Sequence, residues 1–136
     1  MASWSFRSKR AAEALTERKA FGSVLRAAGY PRHGVADAER IYEELVGTIV
    51  KHCPTSSVAV ELVLRDGRTF LRITDDAGPS RLPVADLNNL WAETGRVFAM
   101  VAGLGGQVAV HVNGAARSVI VDLPNPDSVV AAQRAA

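Results

Sequence analysis

Glu44, Thr48 and His52 recur at four-residue steps in "YEELVGTIVKH" (residues 42–52), with Lys51 beside them. On a helix this spacing stacks a carboxylate, a hydroxyl and an imidazole in one polar row, next to an apolar stripe of Ile41, Leu45 and Ile49. Such groups can transfer protons or hold an ion. Two further stretches carry reactive or anion-seeking types. "DDAGPSRLP" (residues 75–83) places two carboxylates, a glycine and two prolines directly after an apolar run, and "TGRV" (residues 94–97) joins a hydroxyl, a glycine and an arginine. Each stretch by itself also has a plainer reading. Glu44, Lys51 and His52 fit a solvated helix edge, and Asp75 with Asp76 fits ordinary turn chemistry.

The elements that must position these groups follow from periodicity. "WSF" (residues 4–6) reads as a short edge strand, and residues 10–28 as a helix with Ala14, Phe21, Val24 and Leu25 inward. Gly29 suits a left-handed cap and Pro31 cannot continue a helix, so a second helix is expected over residues 35–52. From Ser57 the period changes to two, with Val58, Val60, Leu62 and Leu64 on one face of a strand. "RDGR" then signals a tight turn into "TFLRIT". A third helix is expected over residues 89–101. "GLGG" leads from it into a last hairpin of "QVAVHV" and "RSVIVDLP" about an Asn-Gly turn. Trp91 and Phe98 read as core residues of that helix. The order βα, α, ββ, loop, α, ββ predicts an α+β two-layer sandwich: a mostly antiparallel sheet with about three helices on one face.

Composition narrows the functional classes. With 136 residues, 48% of them hydrophobic, the chain suits a single domain over residues 1–124, followed by an Ala-rich tail over residues 125–136. Sixteen Lys and Arg against fourteen Asp and Glu leave a charge of only +2, and no aromatic residues interleave the early basic runs, which argues against nucleic acid. His33 and His111 have no companion at metal-ligand spacing and read as surface residues. The single cysteine, Cys53, rules out an intramolecular disulfide and a multi-cysteine zinc site, and reads as a packed thiol. No apolar run is long enough to span a bilayer and the first ten residues lack the core of a secretory signal, so no membrane partner and a cytoplasmic location are expected.

Taken in order, the three polar stretches resemble the boxes of the histidine-kinase-like ATPase domain, shared by histidine kinases, gyrase-type ATPases and the small serine/threonine kinases that act as anti-sigma factors. The last group is nearest in size. The likeness spans residues 3–124 and is clearest in "EELVGTIVKH", "ITDDAGP" and "GRVFAMVAGLGGQVAV". It implies a Bergerat-type fold, ATP and Mg²⁺ as cofactors, and partners such as a sigma factor or an anti-anti-sigma protein, and it leaves room for a homodimer. Carried over residue by residue, Glu44 would be the general base, Thr48 would stand where the family has a metal-binding Asn, and Lys51 and His52 would form the basic end of that box. Asp76 would accept from the adenine amino group and Gly78 would let the backbone approach the base, with Ser80 in place of a second Gly. Gly95 and Arg96 would receive phosphate at a helix N-terminus, with Val97 replacing a Gly. A lid of fourteen residues would separate Pro79 from Thr94. Each box departs from the pattern at one residue, so a degenerate, non-catalytic member acting as a protein-interaction module is the second expectation.

Overall fold

The computed structural model describes residues 2–52, 56–65, 68–76, 84–113 and 116–123. Cys53, Gly78, Ser80, the Asp66-Gly67 turn, Gly114 and the C-terminal tail lie outside them. Nine elements follow in chain order: β1 (Ala2–Ser8), α1 (Ala11–Thr16), α2 (Arg18–Ala27), α3 (Arg32–His52), β2 (Val58–Arg65), β3 (Arg68–Asp75), α4 (Val84–Gly103), β4 (Gln107–Asn113) and β5 (Ala116–Asp122). The fold class is α+β, with one five-stranded sheet in the order β1-β2-β3-β5-β4. Every neighbouring pair in it is antiparallel.

The strands bury one side chain in two. Val60, Leu62, Leu71, Ile73, Val119 and Val121 are buried, while Glu61 and Arg72, opposite each other in the register, are exposed on the other face. Against the buried face packs α3, whose stripe of Ile41, Tyr42, Leu45, Val46 and Ile49 is nearly inaccessible to solvent. Phe21 of α2 completes the centre, stacked on Tyr42 with ring centroids 4.8 Å apart and tilted against Trp4 at 6.3 Å.

Besides α4, which starts at Val84 rather than at residue 89, two helix boundaries depart from expectation. Residues 10–28 form two helices rather than one, hinged at Glu17 (φ −85°, ψ 4°). There the Thr16 hydroxyl donates to the Glu13 carbonyl at 2.6 Å, and the Glu17 N–H turns back to Ala14 O at 3.2 Å. Thr offers the backbone such a local alternative to the helical ladder. The hinge lets α1 lie along β1 and β2 while α2 packs on α3. The Ala14 carbonyl also accepts a second hydrogen bond, from the buried hydroxyl of Tyr42 at 2.5 Å. The second departure is that α3 begins at Arg32, directly after Pro31, and the Val35 N–H bonds Pro31 O at 3.0 Å. Proline cannot continue a helix, but it can start one, because the N–H it lacks would have no partner there.

Glycine ends α2 and α4 in the same way. Gly29 (φ 98°) and Gly105 (φ 92°) hold the left-handed conformation. The N–H groups of Tyr30 and Gly106 reach back to Leu25 O at 3.0 Å and Val101 O at 2.9 Å. This six-to-one closure satisfies carbonyls that would otherwise be orphaned.

At the start of β5 an arginine takes an inward position. Arg117 is 2% exposed and pairs with the buried Asp75 across the β3–β5 register, its Nε and Nη2 donating to Asp75 Oδ2 at 3.2 and 3.0 Å. Both carboxylates of "DD" are therefore acceptors within the fold, since Asp76 accepts from the Ser56 hydroxyl and from the Ser57 N–H at 3.1 Å.

Burial, reinforced by the negative charge of Glu17, pushes the Tyr42 phenol far above its ordinary value of 10.0. The unfolded chain then ionises before the folded one, so stability is lost as pH rises above 10. Tyr42→Phe strips one of the two donors from Ala14 O and is expected to cost about 1 kcal/mol at neutral pH. It should also flatten the alkaline loss, as measured by urea denaturation at neutral and alkaline pH.

Candidate functional site

The polar ridge of α3 faces α4. Arg40, Glu44, Thr48 and Lys51 from α3, with Glu93, Arg96, Val97 and Met100 from α4, line a cleft of about 420 Å³. The spacing accounts for this: positions 40, 44, 48 and 51 lie along one side of α3, and 93, 96, 97 and 100 along one side of α4. The apolar stripe of α3 is committed to the sheet, so its polar row is turned to the neighbouring helix.

Within the cleft the groups divide into those the fold engages and those it leaves open. Thr48 is buried, and its hydroxyl donates to Glu44 O at 2.8 Å, one turn back in the same helix. Only its oxygen lone pairs remain for a ligand. Lys51 Nζ meets Glu93 Oε1 at 2.5 Å, which ties α3 to α4. The buried Nε2 of His52 lies 3.2 Å from the same oxygen, close enough for charge attraction but not aligned as a hydrogen bond. The hydrogen bond from Lys51 holds the Glu93 carboxyl below its usual range, with His52 adding to the effect and partial burial opposing it. Among the described residues, the side chains of Arg40, Glu44 and Arg96 make no hydrogen bond or ion pair. One carboxylate and two guanidinium groups thus line the cleft without internal partners.

Not every expected site residue gathers here. Asp76 lines another cavity, of about 480 Å³, at the end of the sheet with Arg7, Lys9, Ser57, Thr74 and Asp75. Gly95 lies well inside α4, which starts at Val84, so its N–H belongs to the helical ladder and not to a free N-terminus. Much of the expected lid is helix for the same reason. Gly95 is also exposed, and outside its chain neighbours and its own helix backbone nothing described lies within 4 Å of where a Cβ would stand, so no close approach to another element demands glycine. Gly78 lies outside the described residues.

Sequence reasoning passed over Arg40, Glu93 and Arg117. Arg40 was legible as one more four-residue step before Glu44, and Arg117 as the charged residue in phase with the inward Val119 and Val121. Nothing local marks Glu93, because its role arises only where α4 meets α3. Among the described residues no cluster of three His, Cys, Asp or Glu side chains could hold a metal ion. Glu44 and the Thr48 lone pairs could contribute to one only alongside oxygen ligands brought by a bound phosphate.

Two outcomes are expected. Because Glu93 has a lowered folded pKa, its contribution to stability is present above its ordinary 4.5 and lost as pH falls through the folded value. Thermal melts of Glu93→Gln should therefore fall less steeply than wild type between about pH 5 and 3. Gly95→Ala replaces the least helix-favouring non-proline residue at an open position, and should raise stability by about 0.5–1 kcal/mol in chemical denaturation.

No protein-family model matches this chain, and no curated protein is significantly similar to it.

Proposed function

We propose that this chain is an ATP-binding regulatory protein, similar to the small anti-sigma serine/threonine kinases, which acts on a partner protein through the α3–α4 cleft. The observation that carries the reading is convergence. Glu44, Thr48 and Lys51 on α3 and Arg96 on α4 were picked out as parts of separate boxes, and they line one cleft with Arg40.

In this reading Arg96 and Arg40 meet the polyphosphate, since both guanidinium groups are exposed and present bidentate donors to phosphate oxygens. Lys51 is the third cation, available once it leaves Glu93. Glu44 accepts the proton of an incoming hydroxyl from the partner, a task that suits an exposed carboxylate with no internal bond to break. Asp76, which accepts from Ser56 and Ser57 in the second cavity at the end of the sheet, takes the adenine-reading part that the resemblance assigns to it. Mg²⁺ would supply charge neutralisation on the phosphates, with Glu44 and Thr48 the nearest oxygen donors to offer it. The Bergerat-type arrangement and the sigma-factor or anti-anti-sigma partner belong to this proposal.

A specific observation favours the second reading, a non-catalytic interaction module. Thr48, Lys51 and Asp76 all serve as partners within the fold, and Gly95 presents no helix N-terminus. Calorimetric titration with ATP and ADP, with and without Mg²⁺, separates the two. Saturable binding is expected, weakened about tenfold or more by Arg96→Ala and by Asp76→Asn, and left intact by Glu44→Gln. Absence of heat from either nucleotide would leave the interaction module as the function.

A further inference from the structure

Among the described residues the sheet ends on an open edge at β4, which bonds there only to β5. Its residues "QVAVHVN" include no Lys, Arg, Asp, Glu or Pro. These are the devices that normally keep an edge strand from pairing with another chain. Val108 and Val110 are partly buried and Val112 is 45% exposed, the only large hydrophobic side chain so exposed among the described residues. The opposite edge is different. There β1 places exposed Arg7 on the strand, with exposed Lys9 and Arg10 directly after it.

We propose that β4 is a self-association edge, pairing antiparallel with β4 of a second copy about a two-fold axis through Val110. The occupant follows from the strand's own pattern. Antiparallel pairing about residue 110 sets Val108 of each copy opposite Val112 of the other, Val110 opposite its own counterpart, and Ala109 opposite His111. The three valines, at alternate positions, form a row of cross-strand apolar pairs on the helix-covered face, of the kind that stabilises antiparallel ladders. The contact covers the exposed Val112 and brings no fixed like charges together. The same operation on β1 would place both copies' Arg7, Lys9 and Arg10 along the seam. The pairing is isologous, so it closes at two copies and joins the two five-stranded sheets into one.

The neighbouring layer leaves room for it. Of the helices, α4 packs over β4, and on the side away from Arg96 and the cleft its exposed positions Gly95, Ala99, Ala102 and Gly103 carry nothing larger than a methyl group. Two helices flanking the seam can therefore approach, which adds contact area to a strand pair that would be small by itself.

The test is sedimentation velocity on the full chain over about 1–100 µM, with no nucleotide present. Wild type is expected to form a dimer. Val112→Lys puts an ammonium opposite Val108 of the partner and should raise the dimer Kd by about tenfold or more. Ala109→Lys, also at an exposed site, should do the same if Val112→Lys perturbs the fold, with circular dichroism confirming native structure. Ser5→Lys on the β1 edge should leave the dimer unchanged. A chain that stays monomeric throughout overturns the proposal, as does a dimer that survives both β4 lysines or one that Ser5→Lys dissolves. Nucleotide affinity is read separately, so failure here leaves the cleft's proposed role standing.

Discussion

The seating of α3 on the sheet is the constraint from which the rest of the molecule follows. Nine of its residues are buried, and the aliphatic and aromatic ones among them fix the rotation of the helix about its axis. Once Ile41, Leu45 and Ile49 face the strands, the row through Arg40, Glu44, Thr48 and Lys51 has to face sideways. The lateral neighbour is α4, and the space between the two helices becomes a polar cleft. Tyr42 links this seating to the N-terminal helices: its ring stacks on Phe21 and its hydroxyl donates to the Ala14 carbonyl at the α1–α2 hinge.

Charge is handled differently at the two ends of the architecture. At the sheet end, Asp75 and Arg117 are buried together, and removing either would take the counter-charge from a buried ion, which is strongly destabilising. This pair joins β3 to β5, the connection that crosses in sequence over α4, and helps fix the register there. In the α3–α4 cleft the charges are only partly withdrawn from water, so individual contacts are weak and exchangeable. Lys51 can leave Glu93 for another anion at little cost, whereas Asp75 and Arg117 cannot part. The first arrangement suits a site that must open, the second a scaffold that must not.

The same contrast bears on which residues can take part in recognition. Arg40, Glu44 and Arg96 keep their full hydrogen-bonding capacity because the fold does not use it, while Thr48 and Asp76 have already spent part of theirs on backbone and serine partners. A ligand in the cleft gains most from the first group. The β4 edge has the same character on a larger scale, a run of backbone donors and acceptors that the described residues leave unmatched on one side.

The sequence by itself determined the strands, the final hairpin, the glycine cap at Gly29, the glycine-rich turn after α4, and the inward stripe of α3. These depend on period and on backbone conformations set within a few residues, so the information is local. Pro31 and Thr16 were equally visible, but each permits two outcomes. Proline can end or begin a helix, and a threonine can sit in a helix or bend it, and packing chose between them. The tertiary structure alone decided that Glu44 and Arg96 share a cleft, that Asp76 lines a separate cavity, that Glu93 faces Lys51, and that Arg117 is buried against Asp75. Each of these joins groups more than ten residues apart, and no local pattern encodes which of many compatible partners a side chain meets once the sheet and helices close on a common core.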